Sequence, residues 1–128
     1  MDIEHAAYLM KDPAAAAQWY AKHLGMRIVL SGGPPAYGHF LADTAGHVMI
    51  EIYTSEKVPV PDYAAMDPLV LHLAFEVDDV RAARQRLLAA GASPAGDIVD
   101  LPDGGHLTTL RDPWGFAIQL VQRGKPLI

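Results

Sequence analysis

The sequence contains no cysteine, which removes disulfides, thiolate metal ligands and thiol nucleophiles together. Any metal bound here must use nitrogen and oxygen donors. A basic cluster is also missing: ten Lys and Arg are scattered along 128 residues against fifteen Asp and Glu, for a formal charge of −5. Phosphate backbones need a concentrated positive face, so nucleic acid is not the expected partner and a small molecule is. No apolar run reaches the roughly 18 residues of a membrane span, and Met1-Asp2-Ile3-Glu4-His5 lacks the basic-then-apolar pattern of a signal peptide. A cytoplasmic protein without a membrane partner is the expectation. With 51% hydrophobic and 20% charged residues, the chain also lacks the composition of a disordered segment, and its length predicts one domain, 1–128.

What the sequence does contain is an internal repeat. His5 and His72 sit in short apolar runs 67 positions apart, and each run is followed by an acidic cap signal, Asp12-Pro13 or Asp78-Asp79-Val80. The spacing then predicts a helix in each half. Ala16, Trp19, Tyr20 and His23 form one stripe; Val80, Ala83, Arg84, Leu87 and Leu88 form the other. Gly25 and Gly91 follow, 66 positions apart, where a left-handed C-cap is expected. Farther on, Asp43-Thr44-Ala45-Gly46 corresponds to Asp112-Pro113-Trp114-Gly115 as a turn between strand-like runs. Glu51 and Gln119 lie in the runs after those turns, 68 positions apart, and the one-residue drift suggests a β-bulge.

Each half therefore reads as a βαβββ module. The first, 1–54, has strands at about 2–10, 26–31, 37–43 and 47–54 around a helix at 13–24. The second, 69–123, has strands at about 69–77, 93–100, 105–111 and 116–123 around a helix at 79–90. The Pro-rich stretch 55–68 is the connector, a linker or lid. The fold class is α+β.

Alternation along strands identifies the neighbours of each polar residue. Glu51 shares a face with His47, Met49 and Tyr53, opposite an apolar face of Val48, Ile50 and Ile52 that should pack on a helix. Gln119 shares its face with Ala117 and Val121, opposite Phe116, Ile118 and Leu120. His72 accompanies Val70, Ala74 and Glu76, opposite Leu69, Leu71, Leu73, Phe75 and Val77. His5 is placed with Ile3, Ala7 and Leu9, an assignment that leans on the repeat. If both halves use equivalent faces, pseudo-twofold symmetry gathers two imidazoles, a carboxylate and an amide around one axis in a cupped mixed sheet. That donor set suits a divalent metal. A lone strand histidine is more often a packing residue than a ligand, so the claim rests on the set of four. His23, His39, His47 and His106 have no repeat partner and read as surface or helix-face residues; Trp114 reads first as part of a turn.

His5, Met49-Ile50-Glu51, Leu71-His72-Leu73 with Val77-Asp78-Asp79, and Asp112-Pro113-Trp114-Gly115 leading to Gln119 resemble the vicinal oxygen chelate superfamily over essentially the whole chain. This is the glyoxalase, bleomycin resistance protein and extradiol dioxygenase group. The resemblance implies two βαβββ modules cupped around a central site, often in a homodimer. It implies one divalent ion, zinc or nickel first and Fe(II), manganese or cobalt otherwise, on His5, Glu51, His72 and Gln119. Metal-binding relatives usually carry glutamate where this chain has Gln119, so the ion would retain a charge of +1 and Glu51 would be the one ligand-position carboxylate left to move a proton. The function implied is a metal-dependent lyase or isomerase of the glyoxalase type acting on a small oxygen-chelating substrate, with Glu51 catalytic. An extradiol-type dioxygenase and a non-enzymatic antibiotic-binding protein are the alternatives. Glutathione-dependent glyoxalases place arginine four positions after the first ligand, where this chain has Leu9. Dioxygenases take their glutamate from the last strand, where Gln119 stands.

Overall fold

A computed structural model describes all residues, 1–128. It divides into two compact units, Met1–Pro61 and Asp62–Ile128. The first contains β1 (Ala6–Leu9), α1 (Pro13–Leu24), β2 (Arg27–Ser31), β3 (His39–Ala42) and β4 (Met49–Tyr53). Its sheet runs β1-β4-β3-β2, with β1 parallel to β4 and the other pairs antiparallel. The Asp12 carboxylate accepts the Ala15 N–H at the helix start, worth about 1 kcal/mol for such a cap. Gly25, at φ 71°, ends the helix in the left-handed region that suits glycine. The buried stripe of α1 is Pro13, Ala16, Ala17 and Tyr20, and it packs on β2, β3 and β4. Ile50 and Ile52 point into this core, each contributing about 1.5–3 kcal/mol when fully buried.

The second unit contains the 3-10 turn η1 (Tyr63–Ala65), β5 (Leu73–Glu76), α2 (Val80–Ala89), β6 (Ser93–Pro94), β7 (Val99–Asp100), β8 (His106–Arg111) and β9 (Ala117–Gln122). Its sheet runs β5-β9-β8-β6, with β7 also on β8 and β5 parallel to β9. Asp79 caps α2 through the Ala82 N–H, and the Gln122 side chain accepts the Val80 N–H from 42 residues away, tying β9 to the helix start. Val80, Ala83 and Leu87 pack against a core that includes Leu110, Phe116, Ile118 and Leu120. The two-sheet, two-helix α+β architecture agrees with the sequence reading.

Several local expectations are corrected. The stripe of α1 is centred on Ala16 and Ala17, which leaves Trp19 and His23 half-buried at its edge, their rings 5.3 Å apart. The strand expected over 93–100 is two bridges, β6 and β7, separated by a turn. The one-residue drift lies in a turn and not in a bulge. The pair Ala42↔Met49 leaves 43–48 between β3 and β4, Arg111↔Ala117 leaves 112–116 between β8 and β9, and both ladders run without slippage. Asp43 and Asp112 close these turns alike: their amides bond to the carbonyls of Val48 and Phe116, and their carbonyls accept from Gly46 and Gly115. His47 is thus the added residue. The one register shift in the first sheet falls between Ile28 and Leu30. Val48 belongs to the turn and is exposed, and His39 is buried on β3. Of the connector, residues 62–68 belong to the second unit, with Tyr63 buried against Phe116 at 4.9 Å.

Candidate metal centre and its two half-sites

Glu51 occupies the middle of β4, paired with Ala7 on β1 and Phe40 on β3. Burial alternates along the strand: Ile50 and Ile52 face the helix, while Met49, Glu51 and Tyr53 are half-buried on the other side. His5 was expected within the first strand. It lies one residue before β1, because pairing with β4 begins at Ala6↔Ile50, next to the start of β4 at Met49. It still reaches the expected partner: His5 Nε2 is 3.5 Å from Glu51 Oε2. The ring meets Phe40 edge-on, with centroids 5.2 Å apart, and its Nδ1 is hydrogen-bonded to the Glu4 carboxylate. A Cβ at residue 38 would sit 3.2 Å from Glu51 Oε1, so Gly38 leaves the space that this oxygen uses. The His5 pKa is raised above 6.5, first by the Glu4 hydrogen bond; desolvation opposes this, and the charges of Glu4 and Glu51 add to it.

In the second unit Gln119 occupies the middle of β9, half-buried and paired with Ala74 on β5 and Thr109 on β8. His72 is exposed and precedes β5, another departure from the strand placement. The Asp67-Pro68 turn is the cause: the Leu69 amide bonds to the Asp67 side chain and the Val70 amide to its carbonyl. Extended pairing therefore starts only at Leu73, leaving Leu69, Val70 and Leu71 exposed. His72 Nδ1 lies 2.8 Å from the Pro68 carbonyl oxygen. An open cleft of about 460 Å³ adjoins the same strands, lined by Ala74, Glu76, Val121 and Arg123 and bounded by the terminal residues 126–128.

The two half-sites obey one rule. Each histidine lies two positions before the residue paired with the Glu/Gln position, since Ala7 pairs with Glu51 and Ala74 with Gln119. His5 and Glu51 are in contact; His72 and Gln119 both belong to the second unit, where His72 bonds to the Pro68 carbonyl. Within neither unit do three or more His, Asp or Glu side chains gather in an arrangement that could hold a metal ion. The first half-site nevertheless fits two ligands of one ion. Donors about 2.1 Å from a tetrahedral metal lie about 3.4 Å apart, close to the 3.5 Å between His5 and Glu51.

Sequence reasoning missed Glu4, Gly38 and Phe40. Glu4 was visible beside His5, but nothing in the sequence indicated that its side chain turns back to the ring. Gly38 and Phe40 depend on the β3–β4 register. Of the histidines given no role, His39 bonds to the Tyr37 carbonyl oxygen and His106 to Asp100.

Comparison with known proteins agrees with this architecture. The family model of the Glyoxalase/Bleomycin resistance protein/Dioxygenase superfamily matches residues 2–120. An ethylmalonyl-CoA/methylmalonyl-CoA epimerase from Cereibacter sphaeroides is 30% identical over 99 residues, covering 73% of this chain and 74% of that one. A glyoxalase family protein from Bacillus cereus superposes with a TM-score of 0.80 at 17% identity, covering 96% of this chain and 94% of its own. An antibiotic binding protein from a Streptomyces species gives 0.73 at 20% identity, with 96% of each chain covered. The matched family model and the epimerase relative together show that the chain belongs to the Glyoxalase/Bleomycin resistance protein/Dioxygenase superfamily.

Proposed function

We propose that this protein is a divalent-metal-dependent isomerase that moves a proton at the carbon next to a carbonyl, with Glu51 as the proton-carrying residue. The observation that carries the proposal is the His5–Glu51 pair: an imidazole nitrogen and a carboxylate oxygen 3.5 Å apart on the half-buried, helix-free face of a sheet. His5, Glu51, His72 and Gln119 are the proposed ligands of one ion, zinc or nickel first. When bound, the ion supplies positive charge to carbonyl oxygens of the substrate, which makes the neighbouring C–H more acidic.

Glu51 has two oxygens in different surroundings. Oε2 faces His5, while Oε1 faces the space left by Gly38. That division would let one oxygen hold the ligand position while the other accepts the proton from carbon and releases it to solvent; the isomer forms when the opposite face of that carbon takes up a solvent proton. Gln119 cannot do this, since an amide does not take up a proton near neutral pH. The similarity to an ethylmalonyl-CoA/methylmalonyl-CoA epimerase favours isomerisation over lysis, and it favours an acyl thioester carrying a second carbonyl group.

The test is solvent deuterium exchange at C2 of methylmalonyl-CoA, followed by mass spectrometry on metal-loaded protein. Glu51→Gln is expected to slow exchange about 10²- to 10⁴-fold, the usual range for loss of a general base. Exchange at the wild-type rate in that variant would sink the assignment of Glu51.

A further inference from the structure

The histidines of the two half-sites hold the same tautomer by different means. His5 Nδ1 is bonded to a Glu4 carboxylate oxygen, and His72 Nδ1 is 2.8 Å from the Pro68 carbonyl oxygen. A carboxylate and a peptide carbonyl only accept hydrogen bonds, so Nδ1 is the donor in both rings. In each neutral imidazole the lone pair is then on Nε2. On His5 that atom is the one facing Glu51.

We infer that Glu4 is a positioning residue: its carboxylate fixes the Nδ1–H tautomer of His5 and aims the Nε2 lone pair at the ion that Glu51 shares. The inference rests on the metal-site reading given above. Imidazole ligands commonly donate their second N–H to a carboxylate or carbonyl, which sets ring orientation and strengthens the ligating nitrogen. Both arrangements occur in this one chain. The repeat places Leu71 where the first half has Glu4, 67 positions earlier, and the Pro68 carbonyl substitutes for the carboxylate. His5 is therefore the stronger donor of the two.

Charge gives Glu4 a second role. Two neutral imidazoles, one carboxylate and one amide leave a divalent ion at +1. Glu4, bonded to a ligand without being one, adds the negative charge that a carboxylate at position 119 would have added. Neither carboxylate of the first half-site has a carboxylate counterpart in the second: Leu71 matches Glu4 and Gln119 matches Glu51.

The test uses the full chain and its Glu4→Ala and Glu4→Gln variants. Nitrogen NMR of the histidine rings in metal-free protein at mildly alkaline pH reads the tautomer, and calorimetric titration with Zn²⁺ reads the affinity. In wild type, His5 and His72 should both be Nδ1–H forms. Glu4→Ala should convert His5 to a mixture of tautomers, leave His72 unchanged, and weaken Zn²⁺ binding about 10- to 100-fold, the usual effect of removing such a partner. Glu4→Gln, whose amide oxygen still accepts the N–H, should keep the tautomer and lose less affinity. An unaltered His5 tautomer in Glu4→Ala, with Zn²⁺ binding intact, overturns the role of Glu4 and leaves the metal site standing. A wild-type chain that binds no Zn²⁺, yet changes tautomer on Glu4→Ala, overturns the metal site and leaves the hold of Glu4 on the ring.

Discussion

Asp103 shows how one carboxylate can fasten a terminus. Its side chain accepts the Gly105 amide at 2.8 Å and the Gly124 amide at 3.2 Å, tying the chain after β9 to the loop before β8. A side chain at Gly105 or Gly124 would strike backbone, of Gln122 and Asp103 respectively, so this approach depends on both glycines. The Gly105 hydrogen bond is the main reason that the Asp103 pKa falls below 3.8; desolvation opposes it, and the Gly124 and Lys125 amides and the Arg123 charge assist. The folded state thus holds this proton less tightly than the unfolded chain. The resulting stabilisation is present above pH 3.8 and is lost as pH falls through the depressed value. Asp103→Asn should lower thermal stability at neutral pH and flatten its decline on acidification, as measured by melting curves between about pH 5 and 2. A decline as steep as that of wild type would place the acid-sensitive group elsewhere. His5 has the opposite sign. Its raised pKa favours the folded state below pH 6.5, and that contribution fades as pH rises through the raised value.

Arg111 does for elements what Asp103 does for a terminus. At the end of β8 its guanidinium donates to the carbonyl oxygens of Tyr63 at 2.8 Å, Gly115 at 3.0 Å and Met66 at 2.7 Å, docking η1 on the β8–β9 turn. Arg111→Met should cost about 2–4 kcal/mol, because it removes three charge-assisted bonds and strips partners from part-buried carbonyls. A shifted urea midpoint with an unchanged m-value would report this; a loss under about 0.5 kcal/mol would mean that water replaces the guanidinium without penalty. None of this docking was legible in the sequence, since Pro59, Pro61 and Pro68 mark a connector without saying what receives it. The first helix was legible to the residue and the second to within one residue at each end, because Asp12-Pro13, Asp79 and Gly25 are local stop and start signals with their own chemistry. The edge strands were not. Periodicity carried β5 back to residue 69, but the Asp67-Pro68 turn claims the residues before Leu73. The common spacing of the candidate positions was legible through the repeat, which does not depend on where a strand begins: His5 and His72 lie outside their strands and keep the same spacing from Ala7 and Ala74.

At the scale of the whole molecule, the proposed ligands are divided equally, His5 and Glu51 in one unit and His72 and Gln119 in the other. Ion binding should therefore act on stability in a way that distinguishes a shared ion from one held by a single half. An ion that binds only the folded chain stabilises it by about 2.7 kcal/mol at a concentration 100 times its Kd. For a chain of 128 residues that corresponds to a rise in Tm of roughly 8–14 °C. If one ion joins both halves, His5→Ala and His72→Ala should each remove most of this rise, although they lie in different units, and a chelator should return wild type to the Tm of the variants. Loss of the rise in His5→Ala alone would confine the ion to the His5–Glu51 pair, where the two donors are already 3.5 Å apart. Gln119→Ala should have a smaller effect than either histidine substitution, since a neutral amide oxygen is the weakest donor of the four. Gln119→Glu should raise affinity by adding charge at the ion, and it should slow proton transfer at Glu51 by reducing the positive charge available to the substrate.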